Sequence, residues 1–238
     1  MTIKLVSFDL DDTLWDNLPI IVEAESDMVN WLQERIPNFQ EVYRATARRY
    51  RAQISQNRPQ IQYDMNKIRM SVLERVLQDC TDTKEEAYEL ARSALCIFHG
   101  RRNRFLLMED AEEVLSTLSE KYSIVSVTNG TSDIRQSSIG KYFEISLNAA
   151  NVQAAKPNPI MFYTILSQAD VRPQEAVHIG DHPVDDIECA AKIGMHTIQF
   201  HTLARGRQRD VSPLASCVVN CLADVPKAIL EIENASSQ

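Results

Sequence analysis

The sequence contains few cysteines, and they follow no recognisable spacing. Its 238 residues include five cysteines, an odd number, and no two of them form a CxxC pair: Cys80, Cys96, Cys189, Cys217 and Cys221. This pattern does not describe a disulfide framework, because disulfide-rich domains carry evenly numbered cysteines at regular spacings. It favours reduced thiols, and we therefore expect a cytoplasmic protein.

Long apolar runs and concentrated positive charge are also missing. No apolar stretch is long enough to span a bilayer, and Met1 leads into the first predicted strand without a basic, apolar signal segment. The net charge of -8, with no dense cluster of Lys and Arg, argues against binding of a nucleic-acid polymer. What remains is the composition of an ordinary globular protein, long enough for one large domain or for a domain with an insertion.

The most informative stretch is the first strand and the turn that follows it. Residues 3–8 form a short apolar run of the kind that is buried on both faces of a parallel or mixed sheet. Asp9, Asp11 and Asp12 come directly after it, and burying like charges together either raises their pKa values or requires a cation. A divalent cation with oxygen ligands, Mg²⁺ first of all, would meet this requirement. The alternative is a polar turn in which Asp12 or Thr13 caps a helix.

The rest of the chain divides into a helical block and an alternating region. Residues 18–102 contain four helical patterns and no convincing strand, as expected for a small bundle. After this block, short apolar runs alternate with helical patterns, which predicts a parallel sheet with helices on both faces. The predicted fold is an α/β, Rossmann-like core of residues 1–16 and 105–238, with residues 17–104 inserted as a helical domain. The later strands are predicted at 124–128, 144–147, 176–181, 197–200 and 217–219, with helices at 132–139 and 184–193 among those between them.

Three of the predicted strands end in residues that carry chemistry. In an open α/β sheet, ligands bind beyond the carboxyl ends of the strands. The first strand supplies carboxylates, the second a Thr-Asn-Gly turn, and the fourth a carboxylate followed by two more, while a loop between them carries a lysine. Brought to one edge of a sheet, these groups make a coherent polar site. They are Asp9, Asp11, Thr128, Asn129, Lys156, Asp181, Asp185 and Asp186.

Four segments resemble the four motifs of the haloacid dehalogenase-like hydrolase superfamily, in their usual order. They are FDLDDTL, VTNGT, AAKPNP and GDHPVDDI, and the helical insertion between the first two is similar to the superfamily's C1-type cap. The resemblance implies a Rossmann-like core, a phosphatase activity, Mg²⁺ as cofactor and a small phosphomonoester as substrate. The run FDLDDTLWDN, with Pro19 shortly after it, is most similar to the phosphatases of flavin mononucleotide and riboflavin precursors, and next to the pyrimidine nucleotidases.

The resemblance assigns a role to each of two carboxylates in the first motif. Asp9 would be the nucleophile that forms an aspartyl-phosphate, and Asp11 the general acid–base that protonates the leaving oxygen and then activates water. The metal ligands would be Asp9, Asp181 and the backbone carbonyl of Asp11, with phosphate and water in the remaining positions. Because the superfamily's dehalogenases lack the second carboxylate, Asp11 favours a phosphatase.

The other motif residues would bind phosphate or support the residues that do. Thr128 would hydrogen-bond a phosphoryl oxygen together with the main chain around Asn129, and Lys156 would neutralise the charge that builds up in the transition state. Asp186 occupies the position that in this superfamily orients Lys156 or a metal-bound water. Asp185, one residue earlier, could share that role, and the sequence does not decide between the two.

Two other functions stay open at this point. One is a hydrolytic dehalogenase that uses Asp9 without a metal, against which Asp11 argues. The other is a module that binds a phosphorylated ligand or protein partner without turnover, against which the full set of charged residues argues. Phosphate release from an aryl phosphate, with and without Mg²⁺, would separate them.

Residues outside the motifs lead to plainer expectations. His178 lies within an apolar strand and is predicted to be a packed, hydrogen-bonded core residue. Arg101, Arg102 and Arg104 stand where the insertion returns to the core, and a solvated face is favoured over attraction of an anionic substrate. Discrimination between substrates would fall to the insertion, whose candidate ring-stacking and anion-binding residues are Trp15, Tyr43, Tyr50, Tyr63, Arg48 and Arg51.

Overall fold

The computed structural model describes residues 2–201 and 210–235 of the chain, which divides into two compact units. The sheet unit consists of Met1–Asp16 with Leu106–Gln238, and the helical unit of Asn17–Phe105. No helix within the described ranges combines the length and the apolar character that crossing a membrane requires.

The helical unit packs four helices around one apolar core: α1 Asn17–Gln33, α2 Phe39–Asn57, α3 Met65–Leu77 and α4 Lys84–Arg102. Residues 17–105 are all described, and none of them lies in a strand. Two helix starts are fixed by side chains, because the Asp64 carboxylate and the Thr83 hydroxyl accept main-chain N–H groups from the first turns of α3 and α4. The core contains apolar residues at helical spacing, among them Met28, Leu32, Leu73 and Phe98.

Some residues that the sequence analysis left exposed are packed. Arg102, expected on a solvated face, is only 1% exposed. It follows Phe98 by four residues in α4, and residues at this spacing share one face of a helix, here the buried one. Tyr50 is buried as well, and its hydroxyl donates to the Asp79 carboxylate. Trp15, in the sheet unit, is fully buried. Tyr50 and Trp15 were two of several candidates for ring stacking, and both belong to the packed residues.

The described part of the sheet unit contains six parallel strands in the order β3-β2-β1-β4-β5-β6. Their bounds are β1 Leu5–Phe8, β2 Ser123–Thr128, β3 Ile145–Asn148, β4 Ala176–Gly180, β5 His196–Phe200 and β6 Cys217–Val219. The residues of β1 and β4 are all buried, as central strands of a sheet covered on both faces must be. The predicted Rossmann-like α/β fold is confirmed, because this is the strand order of a doubly wound sheet, in which the chain changes direction between β1 and β4.

The helices of the sheet unit are α5 Ala111–Ser119, α6 Ala149–Val152, α7 Ile160–Ala169, α8 Cys189–Lys192 and α9 Val225–Ala235. The helix predicted over residues 132–139 is wrong, because this stretch forms two 3₁₀ turns, Ile134–Gln136 and Ser138–Tyr142. The Asp133 carboxylate accepts the N–H of Arg135, and the Ser137 hydroxyl donates to the carbonyl of Ile134. Such local side-chain bonds compete with a regular helix.

The helix predicted over residues 184–193 begins as a wide π-helical turn, Pro183–Glu188, and continues as α8. The carbonyl oxygen of His182 accepts the N–H of both Asp186, at 3.1 Å, and Ile187, at 3.2 Å. In return, the Asp186 carboxylate accepts the N–H of His182 at 2.9 Å. Turns of this kind are frequent at functional sites, and this one fixes the position of a buried carboxylate.

Candidate active site

The carboxyl ends of β1, β2 and β4 lie side by side because these strands are neighbours in the sheet. Phe8, the last residue of β1, is in register with Ser126 of β2 and Ile179 of β4. The main-chain N–H of Asp9 donates to the carbonyl oxygen of Ile179 at 2.8 Å, which extends the pairing by one residue. The point between β1 and β4, where α/β sheets bind their ligands, is therefore the place where the predicted site residues meet.

Lys156 is the centre of the cluster at this edge. Its Nζ atom donates to Asp9 Oδ1 at 2.7 Å, to Asp186 Oδ1 at 2.6 Å and to the carbonyl oxygen of Val127 at 2.8 Å. These three bonds use all the hydrogens of an ammonium group. Its side chain is 1% exposed, so the ammonium charge is held inside the protein by its partners and not by water.

The Asp186 carboxylate holds the Lys156 ammonium and has further contacts of its own. Besides Lys156, its carboxylate accepts the N–H of His182 and lies 3.4 Å from Nε2 of His178. The Asp185 carboxylate is placed differently, because it is about a third exposed and lies 3.8 Å from Nδ1 of His182. Of the two carboxylates between which the sequence did not decide, Asp186 is thus the one in contact with the lysine.

The carboxylate of Asp11 is oriented by two side chains that the sequence analysis did not assign to the site. Nε1 of Trp15 donates to Asp11 Oδ1 at 2.8 Å, and the hydroxyl of Ser132 lies 3.1 Å from the same oxygen. The turn is closed by Asp12, a non-glycine residue with a positive φ of 63°, whose N–H donates to the carbonyl of Trp15. The buried indole therefore fixes a polar group of the site.

The Thr-Asn-Gly turn after β2 is hydrogen-bonded to the loop that carries Lys156. The Asn129 side chain donates to the carbonyl of Lys156 at 3.0 Å and accepts its N–H at 2.8 Å. The Thr128 hydroxyl accepts the N–H of Gly130 at 2.9 Å. A Cβ atom on Gly130 would lie 2.2 Å from Asp11 Oδ2, so this position has room only for glycine. Phosphate binding by Thr128 and Asn129 stays a prediction, while their contacts show how the turn holds its neighbours.

A family model of haloacid dehalogenase-like hydrolases matches residues 3–194, which include every residue of this cluster. The chain belongs to the haloacid dehalogenase-like hydrolase family. The resemblance carried by the four sequence motifs is thereby confirmed.

Relatives within the family carry two kinds of names. The 5-amino-6-(5-phospho-D-ribitylamino)uracil phosphatase of Escherichia coli K12 is 29% identical over 193 residues, 81% of either chain. The phosphoserine phosphatase of Thermus thermophilus is 27% identical over 146 residues, 59% of either chain. Among solved structures, a 2-haloacid dehalogenase from Pseudomonas syringae pv. Tomato is 32% identical, with a TM-score of 0.91 over 97% of this chain and 99% of that one.

The electrostatics of this haloacid dehalogenase-like site divide its carboxylates into two kinds. Burial raises the pKa of Asp9 well above its ordinary value, and Asp186 and Asp181 add to this effect while Lys156 opposes it. Burial acts in the same direction on the pKa of Asp186, but Lys156 and His178 outweigh it and hold that pKa below its ordinary value. Asp186 is therefore the permanent partner of the lysine, and Asp9 is the carboxylate that lacks sufficient positive charge.

Three buried carboxylates of the site could hold a metal ion. Oxygen atoms of Asp9, Asp181 and Asp186 lie within 4.8 Å of one another. When all three are ionised, they face the single ammonium of Lys156 and leave an excess of two negative charges, which one dication would neutralise. Carboxylate oxygens are also the ligands that Mg²⁺ prefers, so the residues fit this ion. The carbonyl of Asp11, the remaining predicted ligand, stays a prediction.

Proposed function

We propose that this chain is a Mg²⁺-dependent phosphatase that hydrolyses small phosphomonoesters through an aspartyl-phosphate on Asp9. The observation that carries the proposal is the buried cluster of Asp9, Lys156, Asp181 and Asp186, with a second oriented carboxylate, Asp11, two residues after the first. One carboxylate for attack and a second for proton transfer are what phosphoester hydrolysis in two steps requires. The names of two relatives support the same reaction class.

The chain's own residues suffice to describe both steps. An oxygen of Asp9 attacks phosphorus, and the bond to the alcohol oxygen breaks as Asp11 gives that oxygen its proton. The Asp11 carboxylate then takes a proton from water, whose oxygen attacks the phosphorus and releases Asp9 with inorganic phosphate.

Positive charge for the transferring phosphoryl group would come from two sources. Asp9, Asp181 and the carbonyl of Asp11 would hold a Mg²⁺ ion, which would supply positive charge to neutralise the phosphoryl oxygens. Lys156 supplies a fixed positive charge that is in place before the substrate arrives, because Asp186 holds its ammonium. In this proposal, the hydroxyl of Thr128 and the main chain around Asn129 complete the contacts to phosphate.

The proposed substrates are phosphates of small ring-bearing or ribityl alcohols, such as flavin mononucleotide, a riboflavin precursor or a nucleotide. The name of the Escherichia coli relative, which contains a phospho-ribitylamino group, supports this class. We propose that the helical unit serves as a C1-type cap that discriminates between substrates by the alcohol part of the phosphomonoester. Tyr43 and Tyr63 are half-buried, and Arg48 and Arg51 are exposed, so these residues remain candidates for that role.

A second function is favoured by one specific observation, which is the 2-haloacid dehalogenase at 32% identity over almost the whole chain. In that reaction Asp9 would attack carbon and displace halide, so no metal and no acid for the leaving group would be needed. The buried carboxylate excess around Asp9, together with the orientation of Asp11 by Trp15, argues for the phosphatase.

One set of assays decides between the two functions. Phosphate release from an aryl phosphate and halide release from a 2-haloacid are measured with Mg²⁺ and with chelator, on the same preparation. We expect phosphate release in Mg²⁺ only, and no halide release. A panel of flavin mononucleotide, a phosphoribitylaminouracil, a nucleoside monophosphate and phosphoserine then ranks the alcohols. Halide release that survives chelation, without phosphate release, would replace the phosphatase by the dehalogenase, and inactivity in both assays would favour a binding module.

A further inference from the structure

Ser7 and His178 lie opposite each other on adjacent strands of the sheet. They are register partners on β1 and β4, and neither is exposed. The Ser7 hydroxyl lies 3.0 Å from Nδ1 of His178, and the imidazole packs edge-to-face against Phe162 with 4.7 Å between ring centroids. The position of the imidazole is therefore fixed by a polar contact with Ser7 and by an aromatic contact with Phe162.

The other nitrogen of the same ring points to the site. Nε2 of His178 lies 3.4 Å from Asp186 Oδ1, the oxygen that also accepts from Lys156. Both oxygens of Asp186 already accept hydrogens, Oδ1 from Lys156 and Oδ2 from the N–H of His182, so Nε2 of His178 is the donor in this contact. The Ser7 hydroxyl, 3.0 Å from Nδ1, is placed to give its hydrogen to the other nitrogen. We therefore expect the tautomer with hydrogen on Nε2.

We propose that His178 is a positioning residue, which acts with Ser7 on Asp186 and through it on Lys156 and Asp9. The five side chains form one buried series of contacts from the interior of the sheet to the proposed nucleophile. A buried imidazole has two ring nitrogens that need partners, and in this packed, hydrogen-bonded histidine the second partner is the carboxylate that also holds Lys156. This inference rests on the proposed function, because its catalytic readout is phosphate release.

We expect this series of contacts to control the position of the Lys156 ammonium. Asp186 Oδ1 is shared between His178 and Lys156, and the Lys156 ammonium is shared between Asp186, Asp9 and the Val127 carbonyl. Within the described residues, removing the donor of His178 leaves Lys156 as the side-chain partner of Asp186 Oδ1, and we expect the ammonium to move toward Asp186 and away from Asp9. A shift at this point changes stabilisation of the transition state more than binding of the substrate.

The first experiment compares substitutions of His178 in the Mg²⁺-loaded protein with an aryl phosphate as substrate. His178→Leu should lower kcat about 10-fold or more with little change in KM, as losses of such supporting contacts do. His178→Gln, whose amide keeps an N–H near the position of Nε2, should recover part of the loss. Ser126→Ala is the matched control, because Ser126 is also a buried strand serine but bonds to Ser146, and its kcat should stay within about twofold of wild type.

The second experiment reads the tautomer without substrate and also serves if His178→Leu does not fold. Nitrogen NMR of histidine-labelled protein should show hydrogen on Nε2 of His178, and Ser7→Ala should add the other tautomer and lower kcat by a smaller factor. Hydrogen on Nδ1 in the wild type, or a folded His178→Leu with unchanged kcat, would overturn the proposal. Wild-type protein that releases no phosphate from any ester would instead overturn the proposed function, while the tautomer could still be measured.

Discussion

The two units of this protein use charged side chains in opposite ways. In the sheet unit, Asp9 and Asp186 are buried and both are bonded to the buried Lys156. In the helical unit, the ion pairs Arg75–Asp79, at the end of α3, and Arg92–Glu89, within α4, stay partly or largely exposed. Exposed pairs add little to stability, whereas a buried cluster is costly to assemble and is expected where chemistry requires it.

Besides the buried Arg102, the helical unit contains a partly buried cation, Arg69, that clarifies the contrast. The Arg69 guanidinium lies 3.7 Å from the ring centroid of Phe98, and burial lowers the pKa of Arg69 to about 10. Here an aromatic face does part of what Asp9 and Asp186 do for Lys156. Arg69, which lies on a ring, contributes to packing. Lys156, which lies between two carboxylates, is placed where the proposed phosphate substrate would bind.

The largest expected effect comes from removing the proposed nucleophile. Asp9→Asn keeps the shape of the side chain but removes the attacking oxygen's charge, so phosphate release should fall by about three orders of magnitude or more. The matched control is Asp110→Asn, at an exposed residue with a positive φ of 64° that asparagine also tolerates. Circular dichroism checks the fold of both variants, and wild-type turnover by folded Asp9→Asn would contradict the mechanism.

The next effect concerns the excess negative charge of the cluster. Mg²⁺ at about 100 times its dissociation constant should raise the melting temperature by about 5–10 °C, since it binds only the folded protein. Asp181→Asn should lose most of this shift, yet match or exceed the wild type in chelator, because one of the carboxylates that raise the pKa of Asp9 is gone. Asp170→Asn, exposed and with a φ of 53°, is the control. Equal melting in Mg²⁺ and chelator for the wild type would contradict a metal site.

Substitution of two glycines, one in each unit, tests how closely the neighbouring atoms are packed around them. Gly180→Ala places a Cβ atom 2.5 Å from Asp186 Cγ and should cost about 1–3 kcal/mol of unfolding free energy. Gly100→Ala, exposed in α4 with nothing within 4 Å of the added atom, should instead stabilise by about 0.5–1 kcal/mol. Urea unfolding of both variants measures the difference, and a neutral Gly180→Ala would mean that Asp186 can move without cost.

The sequence predicted those parts of the site that are contiguous in the chain. Asp9 and Asp11 follow an apolar run directly, and the strand order brings Thr128 and Asp181 beside them, so a parallel sheet was enough to infer one common edge. Lys156 was placed at that edge because its loop lies between the strand ends in the sequence, but its role came from the family resemblance, since a lysine in a loop carries no periodic signal.

What the sequence did not predict depends on contacts between distant residues. Ser132 reaches Asp11 across 121 positions, and Ser7 meets His178 across 171. Neither pair has a local pattern, because both follow from the order and register of strands. The burial of Arg102 is a different case, since its spacing of four from Phe98 was visible in the sequence and was outweighed by the expectation that arginine stays in water.

The smallest effect is expected at low pH, and one partnered carboxylate from each unit is compared. Hydrogen bonds from Arg172 and then Lys4 lower the pKa of Glu175 to about 2, and a hydrogen bond from Tyr50 lowers the pKa of Asp79. A lowered pKa in the folded state gives stability that is complete above the unfolded pKa and is lost as the pH falls toward the folded one.

For Glu175 this window runs from about pH 4.5 to about pH 2. Glu175→Gln should therefore lower the melting temperature at pH 7 by at most a few degrees, because the arginine and lysine partners are largely exposed, and the difference from wild type should shrink as the pH falls through that window. Asp79→Asn should behave alike in the helical unit. Scanning calorimetry from pH 7 to pH 3 measures both. A difference that stays constant with pH would mean that packing, and not charge, holds these two carboxylates.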